Sequence, residues 1–305
     1  MFDIVTVGHF TIDLILSPKI ANPRLTLGGP PTYVSLAARK LGARVSVISK
    51  IGKDFPNEYI VRLKTEGVDL SGLKLLGEAS STKFILKYEK GRRQLQLRGL
   101  APPIRPEDVS DSLQAKIIHV APVANELSLD VIIKLRKLTD VLSFDPQGFV
   151  RRFDAKGKVR LKTLEDIRVL QLIDVYKSSI NEIRKVTGLE DLRLAMKEIH
   201  GYGARIVIVT RGMKGSALLF EGKLYAVPAC KPKILVDPTG AGDAFTGAFL
   251  AEYLQKKNPT WCACVGSSAA SFVTEGVGPT AFGEKKEIYK RATEIYEKRV
   301  KRLST

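Results

Sequence analysis

Between Val236 and Thr246 the chain reads VDPTGAGDAFT. Gly240, Ala241 and Gly242 carry little or no side chain, so a ligand can approach their backbone N–H groups closely. The apolar residues that follow (Ala244, Phe245, Ala248, Phe249, Ala251) predict a helix opening at this point. A helix start offers unpaired N–H donors and the positive end of the helix dipole, which together make an anion site. Such a cradle suits negative charge developing on a transferred phosphoryl group. Asp243 falls in the first turn, beside that anion. Position alone leaves two readings of it open. One is a carboxylate that stabilises the helix start. The other is a general base that takes a proton from an attacking hydroxyl.

A scaffold must hold these residues, and the rest of the chain alternates strand with helix. Residues 2–8 (FDIVTVG) form a short apolar run ending in Gly, read as a buried strand. Pro30-Pro31 opens a helix over 31–42, with apolar Val34, Ala37, Ala38 and Leu41 on one face. Residues 45–51 give the next strand and 57–66 the next helix. Further core strands are expected at 117–121, 141–145, 173–176 and 205–210. The alternation argues for a parallel sheet covered on both faces. Two stretches break it: 11–17 runs on past the first strand, and 82–98 reads as a hairpin around Lys90-Gly91. Inserted after core strands, they belong at the carboxyl ends, where open α/β sheets bind ligands. Residues 284–303 read as a basic, solvated helix with a thin apolar stripe at Ile288, Ala292, Ile295 and Val300.

The run Asp-Pro-Thr-Gly-Ala-Gly-Asp at 237–243 resembles the C-terminal signature of the ribokinase-like (PfkB) carbohydrate kinases. Leu27-Gly28-Gly29 before a helix resembles the family's N-terminal Gly-Gly signature, and Asp13 its substrate-binding Asp. Thr210-Arg211-Gly212-Met213-Lys214-Gly215 resembles its nucleotide-binding turn. The resemblance implies an α/β fold: a doubly wound, mainly parallel sheet with helices on both faces and a small β-sheet lid. The α/β part would hold residues 1–10, 28–80 and 100–305, and the lid 11–27 and 81–99. Lid closure excludes water, which would otherwise compete as acceptor.

Carried over residue by residue, the resemblance makes Asp243 the base and Gly240, Ala241 and Gly242 the anion hole. Asp13, Gly28 and Gly29 would face the acceptor together with Asp243. Thr210, Gly212, Gly215, Asp237, Thr239 and Gly242 would serve the nucleotide. The donor implied is ATP, with Mg²⁺ and, as an option, a monovalent cation; ADP stays open as a donor. The family's Asn-x-x-Glu motif, tied to Mg²⁺, aligns its Glu with Glu182 and its Asn with Ser179; Asn181 is out of register. Glu182 could equally be an exposed first-turn carboxylate. Phosphoryl transfer needs charge neutralisation in any case, and Mg²⁺ uses few protein carboxylates.

Gly8-His9-Phe10, Thr32-Tyr33-Val34-Ser35, Phe144-Asp145-Pro146-Gln147-Gly148 with Val150-Arg151, and Lys177-Ser178-Ser179 look closest to the myo-inositol kinase branch. The acceptor expected is therefore a small polyol or sugar. A ribokinase- or fructokinase-type sugar kinase and a nucleoside kinase are the alternatives. Arg92, Arg93 and Arg98 read first as charge that blunts a sheet edge. Their second reading is as ligands for a substrate phosphate. Dimerisation through the lid is common in the family and is a further expectation.

Composition sets the outer bounds. The 305 residues are 44% hydrophobic and 27% charged, which excludes intrinsic disorder. Three cysteines exclude a disulfide framework. His9, His119 and His200 are scattered and form no zinc cluster with cysteine, and Cys262 and Cys264 read as buried thiols in an apolar helix. No apolar run approaches the roughly 20 residues of a membrane helix. The opening MFDIVTVGHF lacks a basic segment before an apolar one, so a cytoplasmic protein is expected. The net charge of +17 would also suit nucleic acid. A non-catalytic sugar- or nucleic-acid-binding protein is therefore the reading from another class; the intact Asp243 and anion hole argue against it.

Overall fold

Valine and isoleucine crowd the first strand, β1 (Phe2–Val7), and it is buried where it crosses the sheet centre. The computed structural model describes residues 1–20, 22–89 and 92–303, and all their side chains except those of Arg92, Lys298 and Arg299. In chain order β1 is followed by β2 (Thr11–Leu16), β3 (Arg24–Gly28), α1 (Pro30–Lys40), β4 (Val45–Gly52), α2 (Asn57–Thr65) and β5 (Asp69–Leu76). Next come β6 (Thr82–Glu89), β7 (Arg92–Gly99), β8 (Ala115–Val120), α3 (Leu129–Arg136) and β9 (Thr139–Phe144). The middle of the chain gives β10 (Arg151–Phe153), β11 (Val159–Leu161), β12 (Val175–Ser179), α4 (Ile180–Thr187), α5 (Leu192–Gly201) and β13 (Ile206–Thr210). The last part gives β14 (Ser216–Phe220), β15 (Lys223–Val227), α6 (Ala241–Leu254), α7 (Pro259–Val273), α8 (Lys285–Arg299) and β16 (Lys301–Leu303).

Among the described residues the main sheet has ten strands, ordered β16-β15-β14-β13-β12-β9-β8-β1-β4-β5. From β5 to β13 neighbours are parallel. The chain builds outward from β1 through β4 and β5, then returns to β8 and builds outward the other way. The strand order thus reverses between β1 and β8, and the crevice at their carboxyl ends is where such sheets take ligands. Alternate residues feed opposite cores, as strand geometry requires. Ile206 and Ile208 join a cluster with α1, α6, α7 and α8, while Val207 and Val209 join one with α3, α4 and α5. The sheet is mainly parallel with helices on both faces, as the motifs imply.

The second sheet, ordered β3-β2-β6-β7, holds both stretches that interrupt the alternation, 11–17 and 82–98, together with β3. Gly28 ends β3 and so belongs to this sheet, not to the α/β part that was expected to begin there. The expected turn at Lys90-Gly91 lies outside the described residues. Three features depart from expectation. β14, β15 and β16 add an antiparallel edge. A short hairpin, β10–β11, lies against β7 through Leu97 N–H, which donates to Gly157 O at 2.8 Å. The C-terminal helix stops at Arg299, because Lys301–Leu303 pair with β15 instead of continuing to 303. Its stripe is also not a solvated one: Ile288, Ala292 and Ile295 are buried in the core.

α6 is apolar almost all round, as a helix enclosed by α1 and α7 must be. At its crossing with α1 a Cβ added to Gly247 would stand 2.2 Å from Val34 O, so only glycine fits. Gly247→Val should therefore cost roughly 1–3 kcal/mol or more through overpacking. Thermal denaturation should show Tm falling by several degrees, about 2–4 °C per kcal/mol in a chain this long. An unchanged Tm would contradict the close α1–α6 contact.

Candidate active site

The start of α6 is reached through a tight turn built by Asp237. Its buried carboxylate accepts from Thr239 N–H (3.0 Å), the Thr239 hydroxyl (2.6 Å) and Gly278 N–H (3.0 Å). With that proton given to Asp237, Thr239 Oγ1 can only accept from the Tyr88 hydroxyl, 2.8 Å away on β6. Gly240 then takes φ 75°, and a Cβ there would lie 2.3 Å from the Tyr33 ring on α1. Position 240 is thus closed to other residues both by backbone conformation and by space. The N–H groups of Gly240, Gly242 and Asp243 find no acceptor among the described residues. That of Ala241 makes a long bond, 3.3 Å, to Pro238 O. The anion cradle read from the motif is therefore present as geometry.

Asp243 sits half-buried in the first turn, facing two cations. Burial pushes its carboxyl up to about 6; Lys177 and Arg151 pull it down, and Asp145 and Glu182 push it up. Lys177, in the middle of β12, pairs at 2.7 Å with Asp145, just beyond β9. Both members are buried, and the ammonium is so close to Gly242 that an added Cβ there would stand 3.0 Å from Nζ. Burial lowers the Lys177 pKa, but Asp145, Asp243 and Glu182 together hold it above the usual value. Ser179 and Glu182 are joined in a capping box at the start of α4. Ser179 N–H donates to Glu182 Oε2 (2.7 Å) and Glu182 N–H to Ser179 Oγ (3.4 Å). The second carboxylate oxygen, Glu182 Oε1, makes no hydrogen bond among the described residues. A single free carboxylate oxygen fits a Mg²⁺ ion held mainly by phosphates and water.

Asp13 on β2 lines the same small cavity as Asp243. It accepts from the Thr11 hydroxyl at 2.7 Å, and burial raises its carboxyl to about 7. Gly28 is required here, since a Cβ would lie 2.0 Å from Asp13 Oδ2. Gly29, at φ 85°, would bring a Cβ to 2.4 Å from His9 O. Phe84, Leu86 and Leu95 of the second sheet wall the cavity, with Tyr33 below. Arg93 and Arg151 complete it. The carboxyl ends of β1 and β8 are tied together by Glu126. This buried carboxylate accepts from His9, Val123 and Ala124 N–H groups at 2.7–3.0 Å.

On the other side of the α6 start runs an apolar groove of about 230 Å³, walled by Met213, Ala229, Leu235, Phe245 and Ala270. Thr210, Gly212, Gly215, Ala241 and Gly242 line it. Asp237 and Thr239, expected to shape the turn and to serve the nucleotide, do build the turn; Asp237 is buried beneath it and Thr239 lines the Asp13–Asp243 cavity. Asp145, Lys177 and Arg151 are legible only as features of the myo-inositol kinase branch, and nothing in the motifs marks Tyr88. A Lys within one apolar strand and an Asp just after another are the signal that could have paired them.

A family model described as pfkB family carbohydrate kinase matches residues 1–286. A cytidine kinase of Thermococcus kodakarensis is 30% identical over 286 residues, which is 91% of this chain and 98% of that protein. An inositol 3-kinase of Oryza sativa subsp. japonica is 29% identical over 319 residues, covering 99% of this chain and 75% of its own. A pyrophosphate-dependent kinase in the ribokinase family, solved with a pyrophosphate analogue and myo-inositol, superposes with a TM-score of 0.80. It is 23% identical, covers 94% of this chain and 99% of its own, and so speaks to the fold alone. With the family match spanning nearly the whole chain and the turn at 237–243 folded as an open anion cradle, the protein belongs to the pfkB family of carbohydrate kinases.

Proposed function

We propose that the protein transfers the γ-phosphoryl group of ATP to a hydroxyl of a small polyhydroxy acceptor, with a cyclic polyol such as myo-inositol as first candidate. The observation that carries the reading is one small cavity lined by two carboxylates, Asp13 and Asp243, and by Gly240 at the free amides of α6. Asp13 takes acceptor hydroxyls, and the apolar walls Leu86 and Leu95 suit the C–H face of a ring. Asp243 accepts the proton of the attacking hydroxyl. The amides of Gly240, Gly242 and Asp243, with Lys177 beside them, bear the charge that develops on the phosphoryl oxygens. Mg²⁺, when bound through Glu182 and the phosphates, neutralises part of that charge. The apolar groove gives an adenine base a place, which a pyrophosphate donor would leave unused.

The second sheet acts as the lid over the acceptor in this reading, and its partners are the nucleotide, the acceptor and a second copy of the chain across that sheet. No helix among the described residues is long and apolar enough to cross a membrane. The free thiols of Cys230, Cys262 and Cys264 suit a reducing, cytoplasmic setting. A nucleoside as acceptor is the second reading, favoured by the 30% identity to the cytidine kinase.

Asp243→Asn should keep nucleotide affinity yet lower kcat by roughly 10²–10⁴. Titration calorimetry with ATP and initial-rate assays check the two halves; turnover within a factor of about two of wild type would sink the role of Asp243. The base works only when ionised, so kcat/KM should rise with pH through the Asp243 value of about 6 and then level. A profile flat from well below that value would contradict this assignment. Asp13→Asn should act differently, raising the acceptor KM while leaving the ATP KM unchanged in the same assays.

A further inference from the structure

Three lysine or arginine residues are buried among the described residues: Lys50 (8% exposed), Lys177 (5%) and Arg151 (7%). Two of them have an acid in contact. Lys50 meets Asp108 at 2.6 Å and Lys177 meets Asp145 at 2.7 Å. Arg151 has no carboxylate within ion-pair distance among the described residues. Its Nη1 donates to Val123 O (3.0 Å) and its Nη2 to Gln147 Oε1 (2.8 Å), both neutral acceptors. These two bonds fix the plane of the guanidinium and use two of its five N–H groups. The side chain lines the cavity with Gly240 and Asp243. A buried cation left unpaired is costly, and an anion arriving in the cavity offsets that cost.

Which anion follows from what lines the cavity with it. Arg151 lines it together with Asp243 and with Gly240, the residue that leads into α6. The charges of Glu182, Asp145 and Asp243 reach Arg151 as they reach Lys177, while Arg93 also acts on Arg151 and Arg151 on Asp13. A phosphoryl group held at the α6 amides beside Asp243 therefore enters the cavity that the guanidinium lines. The metal side of that place is lean: Ser179 Oγ and one Glu182 oxygen are spent on the capping box.

We propose that Arg151 is a catalytic residue, whose free guanidinium N–H groups hold the equatorial oxygens of the phosphoryl group during transfer, opposite the α6 amides. The inference rests on the kinase reading above. In the step, the bond from the γ-phosphorus to the β–γ bridging oxygen breaks, and that oxygen leaves on ADP. The acceptor oxygen–phosphorus bond forms, and the acceptor proton passes to Asp243. Arg151 stays protonated throughout and contributes charge and hydrogen bonds alone.

The test compares wild type, Arg151→Lys and Arg151→Met in the full-length protein, after thermal denaturation has shown that each variant folds. With ATP and myo-inositol, or ATP and cytidine, kcat should fall by about 100-fold or more. Both KM values should stay within about threefold, because the contact forms in transfer and not in binding. Added ethylguanidine should restore part of the rate to Arg151→Met and leave wild type unchanged. A second readout needs no acceptor. ADP with aluminium fluoride, a mimic of the phosphoryl group in flight, should bind wild type tighter than ADP alone, and Arg151→Met should lose that gain. An acceptor KM that rises while kcat holds would overturn the proposal and make Arg151 an acceptor ligand. Equal aluminium fluoride binding by wild type and Arg151→Met would overturn it as well. If neither acceptor is turned over but the aluminium fluoride gain depends on Arg151, the proposal stands and the choice of acceptor falls. If wild type shows neither turnover nor gain, both fall together.

Discussion

The site depends on backbone amides that the fold keeps free at the start of α6. Helix formation uses the N–H groups of every later residue, so donors exist only there. The chain enters α6 from Gly240 in the left-handed region, and the Tyr33 ring explains why no side chain can replace its hydrogen. Asp237 holds the turn through three hydrogen bonds, and α1 presses on α6 at Gly247 to fix the helix against the sheet. Buried polar groups that are fully bonded rigidify what they hold. A donor set that is already in place loses no energy to reorganisation when charge develops.

Around those amides the charges alternate. Asp145, Lys177, Asp243 and Arg151 lie within reach of one another, with Glu182 beside them. Burial raises both carboxyls of the cavity, Asp243 to about 6 and Asp13 to about 7, and cations pull each of them back: Lys177 and Arg151 act on Asp243, Arg93 and Arg151 on Asp13. Acids and bases are close to balance within the site, so it does not account for the +17. Much of that charge is on the surface, as on the β10–β11 hairpin, where Arg152, Lys156, Lys158 and Arg160 are exposed. A positive surface field steers phosphate-bearing ligands inward, although the donors that receive them are uncharged amides.

Local chemistry made part of this legible from residues alone. Gly-Ala-Gly before an apolar run can be read as an anion site because its physics lies within a few residues. The parallel strands could be read for the same reason, from apolar runs of strand length. What stayed hidden depends on contacts between distant segments. Lys177 and Asp145 are 32 positions apart and meet only because β9 and β12 are neighbours. Arg151 looks like one more basic residue until its burial and its two neutral partners are known. The Tyr88 hydroxyl on Thr239 comes from the second sheet, 151 positions away, and no local pattern announces it. The tail after Arg299 continues a helical pattern, but pairing with β15 outweighs that propensity.

In the proposed function this geometry moves a phosphoryl group from ATP to an alcohol. The most direct measurement is phosphorus NMR of the wild-type protein incubated with ATP, Mg²⁺ and, in turn, myo-inositol, ribose, fructose, fructose phosphate and cytidine. A phosphomonoester signal growing in step with ADP for at least one acceptor is the predicted result. ADP accumulating with inorganic phosphate alone, or ATP left intact with every acceptor, would contradict the account.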